Sequence, residues 1–201
     1  LATLTEHTER KVVYFSTCAI SQERIYSKSP YLQHKRMMEA YVKQHPTYLI
    51  IRLPNLVGGT GNPENLVNLL ARKVRQHEVI DIWKNSIRNI LDVEDAVQIT
   101  NQLVEKDIFN KVIKVASTVN YRIEEIVSEI SVFYGAKPRT NVITKPPDFE
   151  IYPSEIVRDI IGELGLNMDK LYFRRILEKY FNNQRNIPVT KREPDQVNEE
   201  K

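Results

Sequence analysis

The chain has 201 residues, 41% of them hydrophobic and 27% charged, with a formal net charge of +3. That is the composition of an ordinary globular chain, long enough for one large domain or two small ones. Basic and acidic residues are interspersed, which argues against a nucleic-acid surface. The apolar run at 48–54 stops well short of the roughly 20 residues of a membrane span. The single cysteine, Cys18, excludes an internal disulfide, and His7, His34, His45 and His77 lack ligand spacing. The expectation is a cytoplasmic protein with no membrane span and no bound metal.

In chain order, residues 1–10 have helical composition, and "KVVYFST" reads as a buried strand ending near Ser16. "SKSPYLQHKRMMEAYVKQH" carries a helix start, with Ser29 as N-cap and Pro30 as the first helical residue; Met38, Tyr41 and Val42 supply an apolar face. Pro46 stops this helix, and "TYLIIRLPN" is a continuous apolar strand of the kind parallel sheets bury on both faces. Strand, helix and strand make a βαβ unit.

A Gly-rich turn then leads to Asn62 as N-cap and Pro63 as first helical residue, with Leu66, Leu69, Leu70 and Val74 as an apolar stripe. "VIDIWKNSIRNIL" reads as short strands. Asp92 opens a further helix, with Asp95 close to its positive end and Val93, Ala96, Val97, Thr100, Leu103 and Val104 at helical spacing. Strands follow at "KVIKVAS" and "RTNVITKP", with helices at about 121–134, 154–164 and 169–182. Residues 184–201 are polar and aperiodic, so a disordered tail is expected.

Tyr31 and Lys35 are the chain's only tyrosine followed four residues later by a lysine, against roughly 0.7 such pairs expected by chance. The spacing alone decides nothing. On a helix it puts both groups on one face, so that the ammonium can approach the phenol. An unperturbed tyrosine ionises at a pKa of about 10, so a phenolate near neutrality needs about 4 kcal/mol of preferential stabilisation, which a neighbouring cation can help to supply.

Four motifs, in order, resemble the second half of an extended short-chain dehydrogenase/reductase, the NAD-dependent epimerase/dehydratase family acting on nucleotide sugars: "VVYFST" with "SPYLQHK", "IIRLPNLVG", "RNILDVEDAV" and the "ELGL" turn. The resemblance covers the chain to about residue 183. It implies an α/β fold: a partial Rossmann-like doubly wound parallel sheet with a smaller C-terminal substrate domain. Residues 1–118 would form the C-terminal half of the NAD(P)-binding domain, with 57–87 contributing to the substrate domain and 119–183 completing it. All six glycines lie after residue 57, so no Gly-rich pyrophosphate turn precedes them. The first residue is Leu1, and the expectation is a sequence that begins in mid-domain.

By the same resemblance Tyr31 is the general acid/base, Lys35 also bonds the nicotinamide ribose, and Thr17, with Ser16 as fallback, holds the reacting oxygen. Pro54 would border the NAD or NADP nicotinamide, Asn55 would touch the substrate, and Arg88 would clamp its diphosphate. Cys18 and Ala19 stand where dehydratases of the family carry acids, which favours epimerisation or reduction over loss of water. Cys18 reads either as an acid/base or, with more weight, as a small buried hydrophobe. Arg52, inside an apolar strand, reads as a structural pairing, and Asp92 and Asp95 as capping carboxylates. The implied protein is a nucleotide-sugar epimerase or reductase of surface-polysaccharide synthesis, with homodimerisation left open. The alternative is a non-catalytic dinucleotide-binding sensor or scaffold of the same fold.

Overall fold

The structure, a computed structural model, describes residues 9–21, 29–59, 62–144 and 149–184. The expected helix at the start of the chain and nearly all of the expected tail lie outside these residues. Strand β1 (Val12–Thr17), helix α1 (Pro30–Val42) and strand β2 (Tyr48–Leu53) form the βαβ unit. The two strands run parallel, in register from Val12 opposite Tyr48 to Thr17 opposite Leu53. On the other side of β2, β6 (Lys111–Lys114) is also parallel.

Local chemistry sets α1. Ser29 is extended (φ −73°, ψ 116°), its hydroxyl accepts from the Leu32 N–H, and Pro30 occupies the start of the first turn, where a missing N–H costs nothing. The helix closes at Val42, before Pro46. Leu49, Ile50 and Ile51 of β2 are fully buried, as a strand covered on both faces requires. β1 departs from expectation. Its Phe15 is 50% exposed and lines an apolar groove of about 380 Å³ beside Leu53, Ala96 and Val97.

Pro54 has no N–H to continue the β2 ladder, and the chain passes into a second sheet. There β3 (Asn55–Val57) pairs parallel with β5 (Ile87–Asp92), which pairs antiparallel with β7 (Asn120–Arg122). A separate parallel pair joins β4 (Val79–Lys84) to β8 (Arg139–Thr144).

Helix α2 (Leu66–Arg75) starts three residues later than the sequence suggests, with Asn65 at its N-cap. Asn62 instead closes a local turn: its side-chain oxygen accepts from the Glu64 N–H at 2.9 Å and its carbonyl accepts from the Asn65 N–H at 2.9 Å. Helix α3 (Val93–Glu105) does begin after an Asp92 N-cap, whose carboxylate accepts from the Glu94 N–H. Its buried stripe is Ala96, Ile99, Thr100 and Leu103, while Val97 and Val104 face outward.

Helices α4 (Ile123–Tyr134), α5 (Glu155–Glu163) and α6 (Tyr172–Phe181) complete the chain. In the "ELGL" turn, Gly165 takes φ +63°, and the Leu166 and Gly165 N–H groups close back onto the Ile161 and Gly162 carbonyls. One apolar cluster runs from Leu49 and Ile51 through Ile90, Leu91 and Ile99 to Ile126, Ile130 and Phe173. No helix among the described residues is long and apolar enough to cross a membrane.

Candidate active site

A cavity of about 290 Å³ opens at the carboxyl ends of β1 and β2, the place where open parallel sheets bind ligands. Its walls bring together residues far apart in sequence: Thr17 and Cys18 after β1, Tyr31 on α1, Pro54 and Asn55 after β2, and Arg88 on β5. Five of the six residues predicted to contact substrate or cofactor therefore line one space. The sixth, Lys35, lies one helical turn beyond Tyr31.

Tyr31 is 56% exposed, so its phenol is open to a ligand. The Lys35 ammonium lies 5.9 Å from the centroid of the Tyr31 ring and 5.0 Å from that of Tyr14, and donates to the Phe15 carbonyl at 2.9 Å. That bond ties α1 to β1 and holds a positive charge beside the tyrosine. The Thr17 side-chain oxygen accepts from the Ala19 N–H at 3.2 Å, which orients the hydroxyl and leaves its own hydrogen to donate.

Cys18 is buried at the cavity wall and donates to the Arg52 carbonyl at 3.3 Å. Burial pushes its thiol up to about 12, against the smaller opposing pull of Lys114 and Arg52. A thiol held neutral in this way fits the small buried hydrophobe better than the acid/base. Asn55 donates through Nδ2 to the Asn89 carbonyl at 2.9 Å, so its Oδ1 is the atom with capacity to accept from a ligand. Arg88 lines the cavity while donating from Nη1 to the Ile87 carbonyl at 2.8 Å.

Two residues that sequence reading passed over organise the site. Asn89 is fully buried; its Nδ2 donates to the Ser117 carbonyl at 2.9 Å and lies within 3.1 Å of the Ile151 carbonyl, while its Oδ1 accepts from the Ser117 N–H at 3.0 Å. It thus stitches β5 to the loops that carry Ile151 to the cavity wall. An amide inside the apolar run "IRNIL" was the available signal. Glu39 is the other: its carboxylate takes a two-bond fork from Arg52, at 2.9 and 2.7 Å. This pairing is the structural role expected of Arg52.

The profile of the NAD dependent epimerase/dehydratase family matches residues 2–116. The chain belongs to that family. Similar solved structures include the dTDP-glucose 4,6-dehydratase of Bacillus anthracis str. Ames in complex with NAD, 16% identical, with a TM-score of 0.70 over 92% of this chain and 65% of that one. The UDP-glucuronic acid 4-epimerase of Bacillus cereus in complex with UDP-glucuronic acid and NAD is 16% identical, with a TM-score of 0.66 over 88% of this chain and 63% of that one. The dTDP-4-dehydrorhamnose reductase of Bacillus anthracis str. Ames in complex with NADP is 21% identical, with a TM-score of 0.66 over 87% of this chain and 66% of that one. The chain thus spans slightly less than two thirds of these relatives, and at such identities the likeness speaks for the fold. No curated protein matches this chain.

Proposed function

We propose that this family member carries the acid/base and substrate-facing part of an NAD(P)-dependent enzyme that epimerises or reduces a nucleotide-linked sugar. One observation carries the reading: Thr17, Tyr31, Pro54, Asn55 and Arg88 come from four separate stretches of the sequence and line a single cavity. The solvent-open phenol of Tyr31 beside the Lys35 ammonium fits the nicotinamide-ribose end of a dinucleotide. Tyr31 and Lys35 would hold the ribose hydroxyls and Pro54 would border the nicotinamide. When bound, NAD(P) supplies the hydride acceptor or donor.

The chain's own residues do the proton chemistry. Tyr31 gives a proton to, or takes one from, the sugar oxygen at the reacting carbon. The Thr17 hydroxyl donates to that same oxygen and steadies its developing charge. Lys35, held by the Phe15 carbonyl at 2.9 Å, keeps a positive charge beside the Tyr31 ring. Asn55 Oδ1 accepts from a sugar or nucleotide hydroxyl, and Arg88 offers a cation for the diphosphate. With Cys18 neutral and Ala19 beside it, neither position carries a carboxylic acid to protonate a departing hydroxyl. Residues 1–118 would be the nucleotide-binding part and 57–87 with 119–183 the substrate part, in a cytoplasmic enzyme of surface-polysaccharide synthesis.

The test incubates the full-length protein with NAD(P) and a panel of UDP-, GDP- and dTDP-sugars and weighs the products. Unchanged mass with altered stereochemistry marks an epimerase, and a gain of two hydrogens marks a reductase. Reproducible loss of water overturns the reading of reaction type.

A further inference from the structure

Tyr31, Lys35 and Glu39 stand at successive four-residue steps, so they form one stripe along α1, running from the cavity towards the sheet. Tyr31 is open to solvent and Lys35 half-buried, whereas Glu39 is buried. Beneath it the parallel register sets Ser16 of β1 opposite Arg52 of β2, one residue before Thr17 opposite Leu53 at the cavity floor. Arg52 grips Glu39 with two parallel bonds at 2.9 and 2.7 Å. The Ser16 hydroxyl is buried and makes no well-formed hydrogen bond of its own.

Three walls of the cavity therefore meet at one point just below it: the end of β1 through Ser16, the end of β2 through Arg52 and α1 through Glu39. The Arg52 carbonyl is held in turn by the Val115 N–H at 3.0 Å and the Cys18 thiol at 3.3 Å. A single hydrogen bond would let α1 roll on the sheet. A planar two-bond fork fixes both rotation and slide, because either movement breaks one of the bonds. The other anchors of the helix are the Lys35 bond to the Phe15 carbonyl at 2.9 Å and the buried apolar residues Leu32 and Val42, near its two ends.

We propose that Glu39 and Arg52 are positioning residues that set the rotation and height of α1 on the sheet, and thereby hold Tyr31 and Lys35 at the cavity. The catalytic part of this inference rests on the function proposed above; the geometric part does not. A pair kept only for stability is replaceable, since buried ion pairs can often be exchanged for packed apolar residues without loss. A pair kept for direction is not, because apolar contacts do not fix a helix to within the fraction of an ångström that proton transfer needs.

The experiment compares wild type with Glu39→Leu/Arg52→Met and with Arg52→Lys, which keeps the charge and loses the fork. Two readouts are taken on the full-length protein. The first is the resonance of the Lys35 side-chain CH2 groups, which the Tyr14 and Tyr31 rings displace; Lys11, whose ammonium lies 4.7 Å over the Phe109 ring, is the internal control. The second is turnover on the nucleotide sugar found in the product panel. In the double variant, Lys35 moves towards its random-coil position while Lys11 stays, and kcat falls 10- to 100-fold with KM changed less than threefold. Arg52→Lys shows the same changes at smaller size, and carries the test if the double variant does not fold. An unchanged Lys35 resonance in a folded variant overturns the proposal whatever the turnover, as does a moved resonance with turnover intact. If Tyr31→Phe, run alongside, keeps normal turnover, the acid/base reading fails instead, and the Lys35 resonance alone decides the pair's role.

Discussion

The Tyr180 hydroxyl, near the end of α6, donates to Asp92 Oδ1 at 2.6 Å, so the residue that caps α3 is also the docking point of the last helix. Lys179 adds a bond to Asp92 Oδ2 at 2.8 Å, and the Tyr172 hydroxyl, bonded to Asp95 at 2.5 Å, lies 3.0 Å from the Asp92 N–H. Asp92→Ala removes the cap and leaves Lys179 and Tyr180 without their buried acceptor. The expected loss is about 2–3 kcal/mol in urea unfolding, against about 1 kcal/mol for Tyr180→Phe. Equal effects would mean that capping and docking are not combined in Asp92.

Tyr31 and Lys35 act as a unit under the proposed mechanism, so their losses do not add. Tyr31→Phe should lower kcat by about 100-fold or more, comparable to the contribution of a general acid/base. Lys35→Met should lower it nearly as much, and the double variant little further. Steady-state kinetics with circular dichroism as a fold control checks this; additive losses would count against shared action.

Glu39 makes stability depend on acid pH. Burial works to raise its carboxyl, but the two hydrogen bonds from Arg52 and the Arg52 charge outweigh burial and hold it below the usual glutamate range. The folded protein therefore gives up this proton more readily than the unfolded chain does. The resulting stabilisation is complete well above the unfolded value of about 4.3 and is lost as pH falls through the lower folded value. Urea midpoints should fall more steeply on acidification in wild type than in Glu39→Gln, and identical acid limbs would remove Glu39 from the account.

Cys18 should be inert in the folded protein. Its thiol is buried, and burial pushes it up to about 12, so almost no thiolate exists near neutrality. Iodoacetamide at about pH 8 should label it at least 100-fold more slowly in native buffer than in urea. Rapid native labelling followed by loss of turnover would restore Cys18 as an acid/base candidate.

Gly58 and Gly59 differ in what an added methyl would meet. At Gly58 it would lie 2.7 Å from the Val93 Cγ1, on a β-branched side chain in the first turn of α3 with little freedom to move. At Gly59 the nearest atom is on the Tyr180 ring at 3.6 Å, an ordinary contact. Gly58→Ala should destabilise by about 1–3 kcal/mol and Gly59→Ala by less than about 1 kcal/mol. Thermal melts of the two variants test the difference.

Local and periodic features were legible in the sequence. Ser29 with Pro30 marked the start of α1, Asp92 that of α3, and the continuous apolar run of β2 announced a strand buried on both faces, because capping, proline geometry and burial pattern act over a few residues. The order of four motifs announced the family, and the spacing of Tyr31 and Lys35 put them on one helix face. Tertiary structure alone decided the rest. Phe15 looks like core by type, yet stands half exposed on an apolar groove that it shares with Ala96 and Val97 of α3. Asn62 has the chemistry of a helix cap, but its own turn takes up that chemistry three residues too early. Nothing in "RMMEAYV" says that Glu39 will be buried, because what makes burial tolerable is Arg52, thirteen residues away and on another element. Likewise the meeting of Thr17, Tyr31, Asn55 and Arg88 around one cavity follows from parallel register and a proline-forced change of sheet. A linear sequence specifies which groups the chain carries; only the packing of strands against helices brings them to the wall of one cavity.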